Sequence, residues 1–153
     1  MLIIDLPPGD PRLSAVLPVL RELRPHMTDD LFHELYAEGH RQGLRFTAAF
    51  TEEGEGAEAP GGGECLGVAG WRVMVRTFDM CTLYVDDLVT TSVRRSSGVG
   101  RALLAHLEER ARASGCRTLS LDSGTQRLDA HRFYMRQGMG IAAFHFTKQP
   151  AGD

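Results

Sequence analysis

A short polar loop between an apolar run and an amphipathic run constrains the fold of this chain more than any other feature. The apolar run, Leu83–Thr90, is typical of a buried strand, and apolar residues recur at helical spacing from Val99 onward. The loop between them ends in Arg95-Ser96-Ser97-Gly98-Val99-Gly100-Arg101. This order predicts a strand, a loop and a helix whose N-terminus offers unpaired N–H groups to an anion. Because glycine permits close approach and arginine binds phosphate, we predict a pyrophosphate site there.

Two common phosphate-binding motifs do not fit this loop. The P-loop requires Lys and then Ser or Thr after its last glycine, but Arg101 and Ala102 follow Gly100. The dinucleotide fingerprint G-x-G-x-x-G fits at Gly98 and Gly100 but fails at its third glycine, where Leu103 stands. A nucleotide-dependent oxidoreductase is therefore disfavoured.

A third pattern, R/Q-x-x-G-x-G/A, matches residues 95–100 at every fixed position. In this loop the chain resembles the GCN5-related N-acetyltransferases, the GNAT family. A second segment, Ala130-His131-Arg132-Phe133-Tyr134-Met135-Arg136-Gln137-Gly138-Met139, is similar to the family's A-x-x-F-Y-x-x-x-G-F/M segment at the expected separation. The two segments and the strands around them cover residues 83–146.

The resemblance implies acetyl-CoA as co-substrate and an N-acetyltransferase that works by direct attack of an amine on the thioester. It places the pyrophosphate on Arg95, Ser96, Ser97, Gly98, Val99, Gly100 and Arg101. It also implies that the pantetheine arm lies between two splayed strands and contacts backbone groups of Leu88, Val89 and Thr90. The first two helices would wall the acceptor site. The polar side of the second helix therefore either lines that site or is a solvated face; its residues are His33, Glu34, His40 and Arg41.

Three residues are the main catalytic candidates. Tyr134 matches the family's tyrosine and, as a protonated phenol, can donate to the departing sulfur; the alternative is a tyrosine kept for packing. Asp86 and Asp87 are adjacent in a strand, so we expect them to point to opposite faces, one into the cleft as a base or ammonium ligand. Capping or pairing with an arginine is the alternative for either acid.

Weaker candidates near the same cleft are Asp122, Ser123 and His131, and an ordered water can replace a protein base. Arg127 stands where many relatives have an asparagine that contacts the cofactor. That contact is therefore not carried over, although an arginine there could reach a phosphate.

The element order predicted from periodicity and turn residues is β-α-α-β-β-β-α-β-α-β. This agrees with the α/β fold that the resemblance implies, a twisted mixed sheet flanked by helices. The last helix is predicted over Leu128–Gln137 and the last strand over Ile141–Thr147. We expect residues 1–153 to form a single domain, with a mobile, glycine- and glutamate-rich loop at about 52–63.

Composition excludes several other classes. A net charge of −3 does not indicate binding to nucleic acid or to a membrane surface, and no apolar run is long enough to span a bilayer. Cys65, Cys81 and Cys116 lie in apolar runs, which favours core thiols in a reducing cytoplasm. His33-Glu34 begins like a zinc-binding helix, but Ala37 replaces the second histidine, so no metal is expected.

The sequence thus favours an acetyl-CoA-dependent transferase acting on a primary amine of a small molecule or a protein. The alternative is a non-catalytic acyl-CoA-binding sensor or partner module. Such a module needs only the loop, so the presence of Tyr134 favours the enzyme. A homodimer is left open.

Overall fold

A computed structural model of the chain describes residues 1–52, 63–94, 97–150 and 152. These residues belong to two compact units, Met1–Leu121 and Asp122–Asp153. The loop predicted at about 52–63 lies almost entirely outside the described residues, and the single domain over residues 1–153 stays a prediction. None of the described helices is both long and apolar enough to cross a membrane.

The first unit is a five-stranded mixed sheet with helices on both faces. Its elements are β1 (Leu2–Leu6), α1 (Leu13–Arg21), α2 (Asp29–Arg41), β2 (Arg45–Phe50), β3 (Cys65–Arg76), β4 (Met80–Thr90), α3 (Val99–Ala113) and β5 (Thr118–Leu121). The strands lie in chain order, with β1 to β4 antiparallel and β5 parallel to β4. A parallel neighbour requires a crossover connection, which α3 provides. The predicted mixed α/β fold is confirmed.

Each face of this sheet has its own core, because side chains along a strand alternate between faces. On one face, Leu17 of α1 and Phe32 of α2 pack with Phe46 of β2. On the other face, Leu107 of α3 packs with Leu83 of β4. The sheet therefore lies between α1 and α2 on one face and α3 on the other.

The second unit contains α4 (Leu128–Arg136), at the position predicted for the last helix. The strand predicted at Ile141–Thr147 is not formed. Its apolar residues Ile141, Phe144 and Phe146 are 75%, 84% and 91% exposed. A strand needs a hydrogen-bonded partner, and the described part of this unit holds no other strand that could supply one.

The cysteines correct a second expectation. Cys81 and Cys116 form a disulfide with a Cα–Cα distance of 4.6 Å, so they are not free thiols. Cys81 lies at the start of β4 and Cys116 just before β5, and the parallel register of the two strands brings them together. Cys65 is the free, buried thiol that was expected, and burial raises its pKa to about 11.

Candidate functional site

The N-terminus of α3 is open to an anion. Its N-cap residue, Gly98, has a φ of 82°, in the left-handed region that favours glycine. No side chain of the described residues caps this end, and a Cβ added at Gly98 would meet no atom within 4 Å. Val99 is buried and anchors the first turn, whereas Ser97 and Arg101 are exposed. An uncapped first turn beside open space fits a phosphate group.

The loop before α3 is fastened to α1. After β4 the chain forms a short 3-10 helix, Ser92–Arg94, and the Ser92 N–H donates to both carboxylate oxygens of Glu22, at 2.9 and 3.2 Å. Glu22 follows α1 directly, so this contact fixes where the loop starts. Arg95 and Ser96, two of the predicted phosphate ligands, lie outside the described residues.

The open edge of β4 is the second part of the site. Pairing between β4 and β5 ends at Val85 and Leu121. Beyond Val85, no strand of the described residues pairs with β4 on that side, so residues 86–90 line an open edge. This is where the resemblance places the pantetheine arm.

The register with β3 decides which backbone groups face this edge. The Thr91 N–H donates to the Leu66 carbonyl at 3.0 Å, so these two residues form a hydrogen-bonded pair. Hydrogen-bonded and non-hydrogen-bonded pairs alternate along an antiparallel ladder. Val89 therefore directs its N–H and C=O toward β3, and Leu88 and Thr90 direct theirs toward the open edge.

A β-bulge changes the orientation of the two adjacent acids. Gly70 of β3 lies opposite Asp87, but the next residue, Trp71, lies opposite Val85, so Asp86 is the extra residue. The expectation that the two acids point to opposite faces is wrong, because both line one cavity. A bulge adds a residue to one strand and breaks the alternation of faces.

That cavity, of about 320 Å³, opens on the face of the sheet covered by α1 and α2. Its polar lining residues are Arg24, Arg72, Tyr84, Asp86 and Asp87. Its apolar wall includes Leu20, Met27, Phe32, Leu35, Leu44 and Phe46. The cavity thus has an apolar wall and a charged floor, to which β3, β4 and the segment after α1 contribute.

The second helix contributes its apolar side to this wall. Phe32 and Leu35 line the cavity, whereas His33, Glu34 and Arg41 are exposed. The alternative of a solvated polar face is therefore confirmed for these three residues. The fourth residue of that face, His40, is half-buried and contacts the ring of Tyr36.

Two ion pairs form the charged floor. Arg24 Nε donates to Asp87 Oδ1 at 2.7 Å, and Arg24 Nη2 donates to the Asp86 carbonyl at 3.2 Å. Arg72 Nε and Nη2 donate to the two carboxylate oxygens of Asp86, at 2.9 and 3.1 Å. Burial raises the pKa of Asp87 above its ordinary value, and the charge and hydrogen bond of Arg24 oppose part of that rise.

Sequence reasoning missed both arginines and Glu22. Arg24 lies 63 residues from Asp87, and no local pattern indicates that the end of α1 reaches β4. The one available signal was the pair of acids in an apolar strand, since buried acids require cationic or hydrogen-bonded partners.

The remaining candidates lie in the second unit. Tyr134 is half-buried on α4, and burial raises the pKa of its phenol, with a smaller opposing effect of Arg127. Its hydroxyl is therefore protonated at neutral pH. His131 Nε2 lies 2.8 Å from the Gly124 carbonyl, and Asp122 pairs with His145 at 3.1 Å. These contacts give His131 and Asp122 local structural partners.

Among the described residues, no three His, Cys, Asp or Glu side chains are grouped so as to hold a metal ion.

Comparison with known proteins assigns the chain to a family. A sequence profile of the Acetyltransferase (GNAT) family matches residues 19–139. An uncharacterized N-acetyltransferase, YhdJ, of Bacillus subtilis is 46% identical over 67 residues, which are 43% of this chain and 47% of the relative. An aminoalkylphosphonate N-acetyltransferase of Salmonella typhimurium is 41% identical over 64 residues, 42% of each chain. The matched stretch thus spans less than half of either relative.

The fold is shared with solved acetyltransferase structures. The structure of AAC(6')-Iy, in complex with the bisubstrate analog CoA-S-monomethyl-acetylneamine, superposes with a TM-score of 0.74 at 16% identity. The match covers 99% of this chain and 100% of that chain. The family profile extends over most of the sequence, including both motif segments, so the chain belongs to the GNAT family of acetyltransferases.

Proposed function

We propose that this protein is an acetyl-CoA-dependent N-acetyltransferase whose acceptor is a primary amine bound in the cavity beside β4. The observation that carries the proposal is the juxtaposition on β4 of Asp87, which lines the cavity, with the open backbone edge at Leu88 and Thr90. Consecutive residues of a strand are about 3.3 Å apart along its axis. An amine at Asp87 would therefore lie within reach of an acetyl group held along that edge.

Acetyl-CoA supplies the acetyl group as a thioester when it is bound. The uncapped N-terminus of α3 and the exposed Arg101 support binding of its pyrophosphate, with Arg95 to Gly100 as the remaining proposed ligands. Backbone groups of Leu88 and Thr90 are suited to hydrogen-bond the pantetheine amides. Val89 would contribute by packing, since it contacts the core under α1 and α2.

Before the transfer, the bound ammonium group gives up one proton. The amine nitrogen then bonds to the acetyl carbon, the carbon–sulfur bond breaks, the nitrogen loses its second proton and the sulfur gains one. We assign the first proton to Asp87, whose Oδ2 accepts no hydrogen bond from the described residues. Asp86, held by Nε and Nη2 of Arg72, is assigned a positioning role. Tyr134, protonated at neutral pH, is assigned the proton for the sulfur.

Two observations favour this assignment over a non-catalytic acyl-CoA sensor. A sensor requires the phosphate site alone, whereas this chain also has a cavity with a carboxylate of raised pKa on its floor. Perturbed carboxylates in cavities are characteristic of catalytic sites. The Salmonella relative is named for an amine acceptor, which supports the same reaction class.

The test is a screen of primary amines with acetyl-CoA, in which free thiol reports released CoA. The parent protein is compared with Asp87→Asn and with Asp79→Asn, a matched control whose carboxylate pairs with Arg76 in the turn between β3 and β4. We expect the parent and the control to release thiol with at least one amine and Asp87→Asn to lose most of this activity. Equal activity of all three proteins would remove Asp87 from the reaction.

A further inference from the structure

Resting on the proposed function, we infer that the acceptor is a small amine that also carries an oxyanion, a phosphonate or a carboxylate, and that Arg72 binds this oxyanion while Asp87 holds the ammonium group. The observation behind this inference is the floor of the cavity, where two cationic and two anionic side chains lie side by side. An acceptor that brings one charge of each sign can pair with both kinds.

The charges on the floor argue against a polycationic acceptor. Asp86 and Asp87 are already paired with Arg72 and Arg24, so the floor has no excess of negative charge. A second ammonium group would meet a guanidinium at close range, and like charges in a partly buried cavity repel strongly. An amine without an anionic group would leave Nη1 of Arg72 with no acceptor among the described residues.

Arg72 is better suited than Arg24 to bind the oxyanion. Arg24 contacts Asp87, the proposed base, so an anion on Arg24 would compete with the carboxylate that takes the proton. Arg72 contacts Asp86 through Nε and Nη2, and its Nη1 donates to none of the described residues. The guanidinium fork can therefore take an oxyanion without disturbing the pair at Asp87.

The apolar wall limits the size of the acceptor. Six apolar side chains, from α1, α2, β2 and the two loops beside α2, line a cavity of about 320 Å³. Their contact with a short aliphatic chain would bury that chain, and this volume is at the lower end of the range of about 300–1,000 Å³ that is usual for small-molecule sites. The class that fits both charge and size is a short aminoalkyl phosphonate or carboxylate.

The experiment uses four acceptors with the whole protein: 2-aminoethylphosphonate, β-alanine, propylamine and 1,3-diaminopropane. We expect kcat/KM for at least one anionic acceptor to exceed that for propylamine by about tenfold or more, the usual contribution of a charge-assisted pair. Arg72→Gln should lower kcat/KM for the anionic acceptor, through KM, about tenfold or more beyond the loss that the same variant shows with propylamine, which reports the pairing of Arg72 with Asp86. Arg76→Gln removes a guanidinium at the other end of β3, and its kcat/KM should equal that of the parent with every acceptor.

A second measurement needs no turnover. In the absence of acetyl-CoA, 2-aminoethylphosphonate or β-alanine should raise the Tm of the parent and of Arg76→Gln but not the Tm of Arg72→Gln. Propylamine should raise the Tm of each protein by less than the anionic amine raises that of the parent. Arg72→Lys, which keeps the charge and loses the fork, covers the case in which Arg72→Gln does not fold, and it should show an intermediate loss.

The outcomes separate this inference from the proposed function. A kcat/KM that depends on Arg72 with the phosphonate, the carboxylate or both supports the inference and shows which oxyanion Arg72 binds. Equal losses for anionic and neutral amines would overturn it, because they indicate a purely structural role for Arg72. A parent protein that prefers propylamine or 1,3-diaminopropane would also overturn it but leave the transferase intact. Absence of acetylation with every amine would reject the proposed function, and the Tm shifts would still decide the binding question.

Discussion

Asp87 combines two properties that a base for an amine needs. Its carboxylate lies on the cavity floor with one oxygen held by Arg24, and burial raises its pKa toward the range in which proton transfer from an ammonium group is more favourable. Arg24 and Arg72 both lower this pKa, and the neighbouring Asp86 raises it. The ionised form is the proposed base, so we expect activity to fall as the pH drops through the raised pKa.

The pH profile of Asp87→Asn tests this assignment. We expect kcat to fall by about 10²–10⁴, the usual contribution of general acid–base catalysis. We also expect the acidic limb of the kcat/KM profile to disappear in this variant and to persist in Asp79→Asn. An unchanged acidic limb in Asp87→Asn would assign that limb to another group.

Tyr134 is the residue assigned to protonate the sulfur. Tyr134→Phe keeps the ring and removes the donor, so we expect kcat to fall by about 10²–10⁴ at saturating acetyl-CoA near neutral pH. The affinity for acetyl-CoA, measured by calorimetry, and the Tm should change little. A large drop in Tm with unchanged turnover would instead identify a tyrosine kept for packing.

At the scale of elements, β4 organises the site. Its middle carries the bulge that turns Asp86 and Asp87 into one cavity, and its last residues, Leu88 to Thr90, form the open edge. Gly70 on β3 makes room for this arrangement, because a Cβ there would lie 3.1 Å from Asp87 Oδ2 and 2.9 Å from Phe46 Cε1.

The start of α3 can be tested with a pair of glycines. Gly98 and Gly115 both have positive φ, 82° and 72°, and a Cβ at either would meet no atom within 4 Å. Gly98→Val and Gly115→Val should therefore lose similar stability, about 1–2 kcal/mol each. We expect Gly98→Val alone to weaken acetyl-CoA binding about tenfold or more, because its side chain would occupy the space of the phosphate.

Calorimetry with acetyl-CoA and thermal unfolding of both variants give the comparison. Equal affinities in the two variants would show that the pyrophosphate binds away from the N-terminus of α3.

Periodicity and turn residues predicted the elements whose residues repeat on a face, including α3 and the strand before it. The bulge at Asp86 could not be predicted, because it depends on the register that β4 adopts against β3. Glu22 and Arg24 reach the site only because α1 packs near the end of β4. Glu22 is 70 residues from its partner Ser92, and Arg24 is 63 residues from its partner Asp87. The pattern at Ile141–Thr147 is typical of a strand, but a pattern cannot supply the partner strand.

At the scale of the molecule, the first unit contains the proposed phosphate site at α3, the open edge of β4 and the cavity. Two contacts from the end of α1, Arg24 to Asp87 and Glu22 to Ser92, connect the floor of the cavity to the loop before α3. The second unit contains α4, on which Tyr134 lies. The family profile, residues 19–139, extends across both units.

The measurement that tests the central claim most directly is the simultaneous count of two products. The protein is incubated with acetyl-CoA and each of the four amines, N-acetylated amine is quantified by mass spectrometry, and CoA thiol is quantified in the same samples. We expect equal amounts of N-acetylated amine and thiol with the parent and with Asp79→Asn, and a loss of both with Asp87→Asn. Binding of acetyl-CoA without any acetylated amine, or thiol released without it, would contradict the assignment as an N-acetyltransferase.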